Sequence, residues 1–450
     1  MSPNAGLKTA LNKMREMTVQ DGSIYHQYVP VVTNTTSIGE FGTPILENPD
    51  VKNEFIKYMV KMIIGTRIDI RRYANKLAFL EKETMPLGAI NQNVYVNPVK
   101  GRKFNVNDFA GLLQKYESDV KVTYSQINLD KQYPVTITRE KMRDAFTSWA
   151  NLNNFIDGIY TALYNGAEID RFDYTRTLVA NAFRENRVQY ATVSAVSDQA
   201  TANAFLIKAR ELYLDFQEPN TSFNAWNKVG GYGDAIKTFS PSDEIMIIVR
   251  NDVLSKLDVL ALAQAFNMDK ATMMGRIVGV SNFDIFNDDG EKIYDGSSIQ
   301  AVIADRSWFD IQQQDFALDE FYNANNRTWN VYLNQVYKYN YSLFANAVVL
   351  ATSAPVVPAT KIEAEKSSVS VEEGSTVSVP FALTPYESTF TVAASSSAEG
   401  KATAEIVGHN VVIEGVDAGS ATITLTGSGS GGSNVTTTIT VTVTEAPASA

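Results

Sequence analysis

Apolar residues between positions 138 and 165 recur at three and four residues: Met142, Ala145, Phe146, Trp149, Leu152, Ile156, Ile159, Tyr160 and Leu163. That spacing lines one face of an α-helix, and Thr138 can cap its start. At about 1.5 Å per residue the helix would be roughly 40 Å long, the length of a strut. A second helical stretch, 167–185, is expected to continue after Gly166. A third is expected over 201–216, where Phe205, Ala209, Leu212 and Phe216 share a face. Residues 245–310 alternate strand and helix. "EIMIIV" (244–249) is an apolar run suited to a central strand. "NDVLSKLDVLALAQAF" (251–266) reads as a helix capped by Asn251 or Asp252. "RIVGVSNF" and "QAVIADRSWF" read as strands, and the aromatic-rich stretch from Trp308 to Phe344 closes the body.

Two stretches break this rhythm. Residues 1–55 read as irregular apart from a short helix near 5–17, with a further helix over 51–65. From Tyr73 to Thr136 the pattern turns extended and polar, with turn signals at "MPLG", "NPVKGRK" and "DKQYP". That is too long for an ordinary loop, so a projecting β-hairpin with additions is expected.

The last part alternates with period two. "SVSV", "TVSVPF", "ATITL" and "TTTITVTV" place Val, Ile and Leu on one face and Ser or Thr on the other, with "EEG", "SAEG", "VGHN" and "GSGSGGSN" between them. This is the pattern of half-buried antiparallel strands, and short strands at this spacing suggest a β-sandwich. Composition changes at the same place. Before Ala354 the chain has 36 Lys+Arg and 40 Asp+Glu, a net of −4; from Ala354 onward it has 3 and 10, a net of −7. Only three of 47 aromatic residues lie in that last part, while 29 of its 97 residues are Ser or Thr. Residues 354–360, with their prolines, are expected to be a linker, and 361–450 a separate domain.

Composition then narrows the chemistry. With no cysteine there is no disulfide, thiolate metal site or cysteine nucleophile. Two histidines, His26 and His409, in different expected domains leave little room for a histidine metal cluster. A net charge of −11 opposes a sequence-scanning nucleic-acid binder, whose footprint is basic. No secretory signal is read in residues 1–17, and no run of eighteen apolar residues suggests a membrane span. "GSGSGG" (427–432) matches a dinucleotide pattern, but no helix comes after it to face a phosphate. "FDIFNDDGEKIYDG" (283–296) is acidic, yet Phe286 stands where a calcium loop needs an oxygen, so a hairpin turn is expected. Tyr337, Tyr339 and Tyr341 could stack on bases, but with period two and no basic cluster they read as one face of a strand. His26 shows no partner that would make it a general base. No catalytic, cofactor-binding or metal residue is assigned, no cofactor is expected, and no membrane partner.

Five stretches, in order, carry a resemblance: "MPLG" (85–88), "AFTSWANLNNFIDGIYTALYNGAEIDRFDY" (145–174), "LDVLALAQAFNMDKATMMG" (257–275), "DRSWF" (305–309) and "YSLFANAVVL" (341–350). With them the chain resembles the major capsid proteins of tailed bacteriophages, which have the Hong Kong-ninety-seven-type fold. Within these it is most similar to the phi-twenty-nine-like head proteins of small podoviruses. The resemblance implies an α+β fold with an N-terminal arm and first helix (1–55) and a shell domain (56–353). The shell domain would contain an extended loop (73–136), a spine helix (138–165), a peripheral domain and an axial domain (187–305). "VSVEEGSTVSVPFALTP" and "EGVDAGSATITL" resemble the bacterial immunoglobulin-like group 2 domain, although the tail lacks a core Trp. The implied function is assembly of many copies, as hexamers and pentamers, into an icosahedral or prolate head. Implied partners are other copies, a scaffolding protein, a portal or connector, and packaged double-stranded DNA by non-specific proximity. The implied location is the virion, after assembly in the host cytoplasm. Methionines before Gly275 would suit an axial domain that packs in several environments, and equally an ordinary core. Lys100 and Lys103 lie in the loop, but no cross-link is predicted from them. A bacterial surface adhesin with an immunoglobulin-like tail, a carboxylate-based glycoside hydrolase and the encapsulin shell are the alternatives.

Overall fold

The computed structural model describes residues 3, 5–65, 73–86, 90–101, 115, 117–229, 235–260, 276–287 and 289–445. The last six residues of the expected helix 251–266, the methionines before Gly275, and Lys103 lie outside the described residues. The chain divides into two units: Met1–Asn93, Val122–Thr175 and Phe309–Asn340 form one, and Val94–Lys121, Arg176–Trp308 and Tyr341–Ala450 the other.

The first unit is built on the apolar stripe read from the sequence. Trp149, Leu152, Ile156, Ile159, Tyr160 and Leu163 are all buried in one core with Met142, Ala145 and Phe146. The helix limits differ from expectation. Thr138 caps a short helix, Arg139–Ala145, by accepting from the Lys141 amide. The chain breaks at Phe146–Ser148, where Ser148 Oγ accepts from the Asn151 amide at 3.1 Å. A single helix then runs from Trp149 to Arg184, so the expected division into stretches 138–165 and 167–185 is corrected. Glycine inside a helix costs only about 1 kcal/mol. Contacts on both sides of it outweigh that: Ala167 is buried, Tyr160 stacks on Tyr164 with ring centres 4.6 Å apart, and Asn165 Oδ1 accepts from the Tyr73 amide at 3.0 Å.

Residues 1–55 are also more ordered than expected. Helices Ala5–Gln20, Tyr25–Tyr28, Ile38–Glu47 and Pro49–Gly65 succeed one another. Leu7, Leu11 and Met14 from the first, and Phe41 and Ile45 from the third, join the core of the long helix. The helix at Ile38 starts from a capping box between Ser37 and Glu40, whose S-x-x-E spacing is legible in "SIGE".

A three-stranded sheet completes this unit: Phe309–Asn323, Thr328–Tyr341 and Leu129–Thr138, in that order. Leu129–Thr138 therefore belongs to the body, pairing antiparallel with Thr328–Tyr337. The expected hairpin is confined to the paired strands Asn91–Val96 and Val120–Ser125.

In the second unit a five-stranded mixed sheet has the order Gln189–Thr192, Ala347–Ala351, Ile299–Asp305, Ile245–Arg250, Arg276–Val280. Ile245–Val249 are buried, as the apolar run suggested. Helices Gln199–Asp215 and Asn251–Leu260 contribute Phe205, Ala209, Leu212, Val253 and Leu257 to the core on this sheet.

The tail is a sandwich of two four-stranded sheets. One has the order Lys361–Ala364, Thr376–Thr384, Asn410–Gly415, Ala402–Val407, and the other Ser368–Glu372, Val435–Thr444, Gly419–Ser428, Thr391–Ser396. Val379, Val411, Ile413, Ile423, Leu425, Ile439 and Val441 fill its core, with Phe381 and Phe390 in place of the missing Trp. The expected linker is partly absorbed into this domain. Ala359 is buried in the sandwich core, the Thr389 amide donates to Val357 O at 2.8 Å, and the Thr360 amide to Thr384 O at 2.7 Å.

Candidate functional site

The base of the extended stretch is held by one ionic cluster in the first unit. Asp310 opens the strand Phe309–Asn323, and Lys338 lies near the end of Thr328–Tyr341. Lys338 is fully buried and Asp310 is 2% exposed, and their charged atoms are 2.8 Å apart. Lys82 adds a second cation at 3.3 Å, and Asn93 donates to the same carboxylate at 3.1 Å. Ser125 Oγ lies 3.4 Å from both Asp310 Oδ2 and Lys338 Nζ. Burial would raise the Asp310 carboxyl, but the bond from Lys338, the charge of Lys82 and the bond from Asn93 outweigh it and hold it below the usual range. Segment 81–86 runs beside the same strand, with the Lys82 amide donating to Ile311 O at 2.9 Å and the Met85 amide to Gln313 O at 2.8 Å. Both sides of the hairpin are thereby fixed to the body sheet. Residue spacing alone does not disclose this cluster. Its one signal is a lysine inside an otherwise buried aromatic run, "VYKYNY".

A second cluster surrounds Arg171 on the long helix. The guanidinium pairs with Glu81 and Glu168 and lies 5.3 Å from the centre of the Tyr337 ring. Burial opposes its charge, but Tyr337, Glu81 and Glu168 together hold its pKa above the usual value. Burial raises Glu168. Tyr337 and Tyr339 are 0% and 6% exposed, and Tyr337 donates to Gln313 Oε1 at 3.0 Å. Tyr341, in the second unit, stacks on Trp308 at 5.3 Å, and burial pushes its hydroxyl up to about 12. Period two here marks the packed side of a strand, and these rings do not form an open platform for bases.

Within the second unit, residues 94–97 lie against the segment at 235–237. Asn97 Nδ2 donates to Ala235 O at 3.1 Å, its Oδ1 accepts from the Lys237 amide at 3.1 Å, and Tyr95 stacks on Phe344 with centres 5.7 Å apart. Beyond them Val99 is 83% exposed. The sandwich is tied to the turn that ends the long helix: Arg187 pairs with Glu387 at 2.7 Å, and Asn186 Nδ2 donates to Glu387 O at 2.9 Å.

The remaining sequence candidates are dispersed. Residues 283–296 contain the hairpin Ile285–Phe286 with Lys292–Tyr294, and Asp284 pairs with Lys292 at 2.9 Å. In the tail, Gly427 lies near the turn-ward end of the strand Gly419–Ser428, and Gly429 and Gly432 sit so close to Phe390 and Pro358, respectively, that a Cβ at either would clash at 2.7 Å. His409 stacks on Tyr386 at 5.3 Å, and His26 accepts a bond at its carbonyl from Arg15 at 2.8 Å. Among the described residues no group of three or more His, Asp or Glu is placed to hold a metal, and no helix is long and apolar enough to cross a membrane.

What these elements share is support for extended surfaces, and comparison with known proteins gives that support its meaning. The family described as Phi29-like phage major capsid protein matches residues 11–351. The chain belongs to the Phi29-like phage major capsid protein family. The major capsid protein of Bacillus phage B103 is 26% identical over 357 residues, 78% of this chain and 74% of that one. The major capsid protein of Bacillus phage PZA is 26% identical over 355 residues, 78% of this chain and 75% of its own length. Among solved structures, a chain of the capsid of Staphylococcus phage Andhra is similar with a TM-score of 0.51 at 15% identity, covering 64% of this chain and 86% of that one. At that identity the likeness speaks for the fold. As a Phi29-like major capsid protein the chain assembles with copies of itself into the shell of a phage virion. The family is one of structural capsid proteins, which favours the capsid reading over the adhesin, hydrolase and encapsulin alternatives.

Proposed function

We propose that residues 11–351 form the capsid wall and that the sandwich is a bacterial immunoglobulin-like group 2 domain displayed on the outer surface. The observation that carries this is a coincidence of two boundaries. The family match ends at residue 351, and so does Ala347–Ala351, the strand that completes the five-stranded sheet. The sandwich beyond that strand has its own core. In the wall, the hairpin between Asn91 and Ser125 reaches a neighbouring copy, the Trp149–Arg184 helix is the spine, and the five-stranded sheet with its helices packs around five- and six-fold positions. Each contact is modest, and many identical contacts in a closed symmetric shell act together. A scaffolding protein and a portal assist assembly in the host cytoplasm, and packaged DNA lies against the wall without base-specific contact. The tail's charge of −7 makes it a poor lining for DNA and suits a solvent-facing position. No residue is assigned a catalytic role.

Two experiments test these parts separately. A chain stopped after Pro355 retains the whole sheet and is expected to form particles with its scaffold, visible by electron microscopy. Complete absence of particles would refute the outward, dispensable position. Normal particles that melt at lower temperature would show instead that the tail bridges capsomers. For the hairpin, deleting residues 99–101 at its exposed flank is expected to leave the circular dichroism melt of the unassembled subunit unchanged and to stop closed shells. A subunit that no longer folds, or shells that close normally, would sink the inter-subunit role.

A further inference from the structure

An open cavity of about 490 Å³ in the first unit is lined by four cationic side chains, Lys52, Arg139, Arg143 and Arg327, and two carboxylates, Glu47 and Glu140. A neighbouring cavity of about 250 Å³ shares Lys52, Arg139 and Arg327 and ends on Trp329. The three arginines are exposed, whereas Lys52 is only 5% exposed and forms the floor. Among the described residues none of these four side chains forms an ion pair or a side-chain hydrogen bond, although Glu47 and Glu140 share the wall. That differs from the fully buried Lys338, which has Asp310, and from the half-buried Arg171, which has Glu81 and Glu168. Burial of the Lys52 stem together with the charge of Arg139 disfavours its charged form and lowers its pKa, an effect that a bound anion would offset. Arg327 adds a second unusual feature. It stands at φ 55, at the end of the turn between Asn323 and Thr328, where a side chain other than Gly, Asn or Asp is uncommon. Strain of this kind persists where surrounding structure fixes it and clusters at ligand clamps.

We propose that this cavity is an oxyanion site, in which Lys52 and the three arginines close around one phosphate or carboxylate group. Planar guanidinium groups match such an anion in a fork, and Lys52 supplies the point charge at the bottom. Two sources present this chemistry. One is free inorganic phosphate. The other is an Asp or Glu side chain of a neighbouring copy in the shell, drawn from a chain with 50 acidic and 39 basic residues. Duplex DNA is a poor candidate, because its backbone phosphates cannot descend to a lysine 5% exposed.

The test uses the full-length unassembled subunit, titrated with inorganic phosphate at fixed ionic strength against a chloride control. Calorimetry and the melting temperature are read for the wild type, Lys52→Met and Arg327→Asn. Methionine keeps the packing of the lysine stem, and asparagine tolerates the backbone angle, so both variants are expected to melt in chloride no lower than the wild type. Phosphate is expected to bind and to raise the melting temperature of the wild type beyond chloride. Either substitution is expected to weaken the apparent affinity at least tenfold. Equal response of wild type and Lys52→Met to phosphate and chloride overturns the site. Assembled particles then separate the sources. If a neighbour's carboxylate fills the cavity, phosphate lowers the melting temperature of wild-type particles relative to chloride and leaves Arg327→Asn particles indifferent. If free phosphate fills it, wild-type particles retain phosphate and melt higher in its presence.

Discussion

Asp310→Asn is expected to destabilise the subunit by about 3–5 kcal/mol, the range for breaking a buried ion pair from one side. The substitution keeps the shape of the side chain and removes its charge. Lys338, fully buried, would then be left beside a neutral amide, and Lys82 would lose the same partner. Replacing both members, with Asp310→Leu and Lys338→Met, is expected to cost much less, because no unpaired charge remains in the interior. Urea denaturation of the unassembled subunit, monitored by circular dichroism, measures both variants. Equal losses for the single and double variants would show that the pair acts through packing alone. The pH dependence carries a fixed sign. The folded carboxyl lies below its ordinary value, whereas the unfolded one titrates near about 3.9. The pair's contribution is therefore complete above that value and is lost as pH falls through the lower, folded one. Asp310→Asn should abolish that part of the acid sensitivity.

Trp149→Ala is expected to cost about 3–5 kcal/mol, and Ile156→Ala about 2–5 kcal/mol, as large-to-small changes in a closed core do. Trp149 is 4% exposed, tilts against Phe41 with ring centres 5.4 Å apart, and donates from Nε1 to Thr36 O at 3.3 Å. Its loss opens a cavity and leaves that carbonyl without the indole. Ile156 is 2% exposed in the same core. The two residues are seven positions apart, roughly 10 Å along the axis, so the double variant should lose nearly the sum. Shifts in the urea midpoint decide the matter. Changes within error at both positions would mean that this stripe does not face the core.

The function of these elements was legible through a set of short stretches, while the supports beneath them were not. The spine stripe was readable because i, i+3 and i+4 spacing records a face directly. The tail strands were readable because period two does the same for a sheet. The break at Phe146–Ser148 and the unbroken course through Gly166 were missed together. Each depends on a few hydrogen bonds and buried neighbours that outweigh a propensity difference of about 1 kcal/mol. The helix at Ile38–Glu47 was missed although its capping box stood in the sequence. Its short apolar face is completed by Phe55 of the next helix and by Phe146 and Trp149 from a distant segment.

By itself the sequence determined the features whose signal is local: the apolar stripe of the long helix, the apolar strand Ile245–Arg250, the polar two-faced strands of the tail, and the change of charge at Ala354. These arise from periodicity and composition, which neighbouring residues carry among themselves. The tertiary structure alone decided which distant charges meet. Asp310 and Lys338 are 28 residues apart, Arg171 and Glu81 are 90 apart, and Arg187 and Glu387 are 200 apart. It also decided that Lys52 meets no such partner among the described residues. The reason is that an ion pair in the interior depends on distance and desolvation, and neither is recorded in the spacing of residues along the chain.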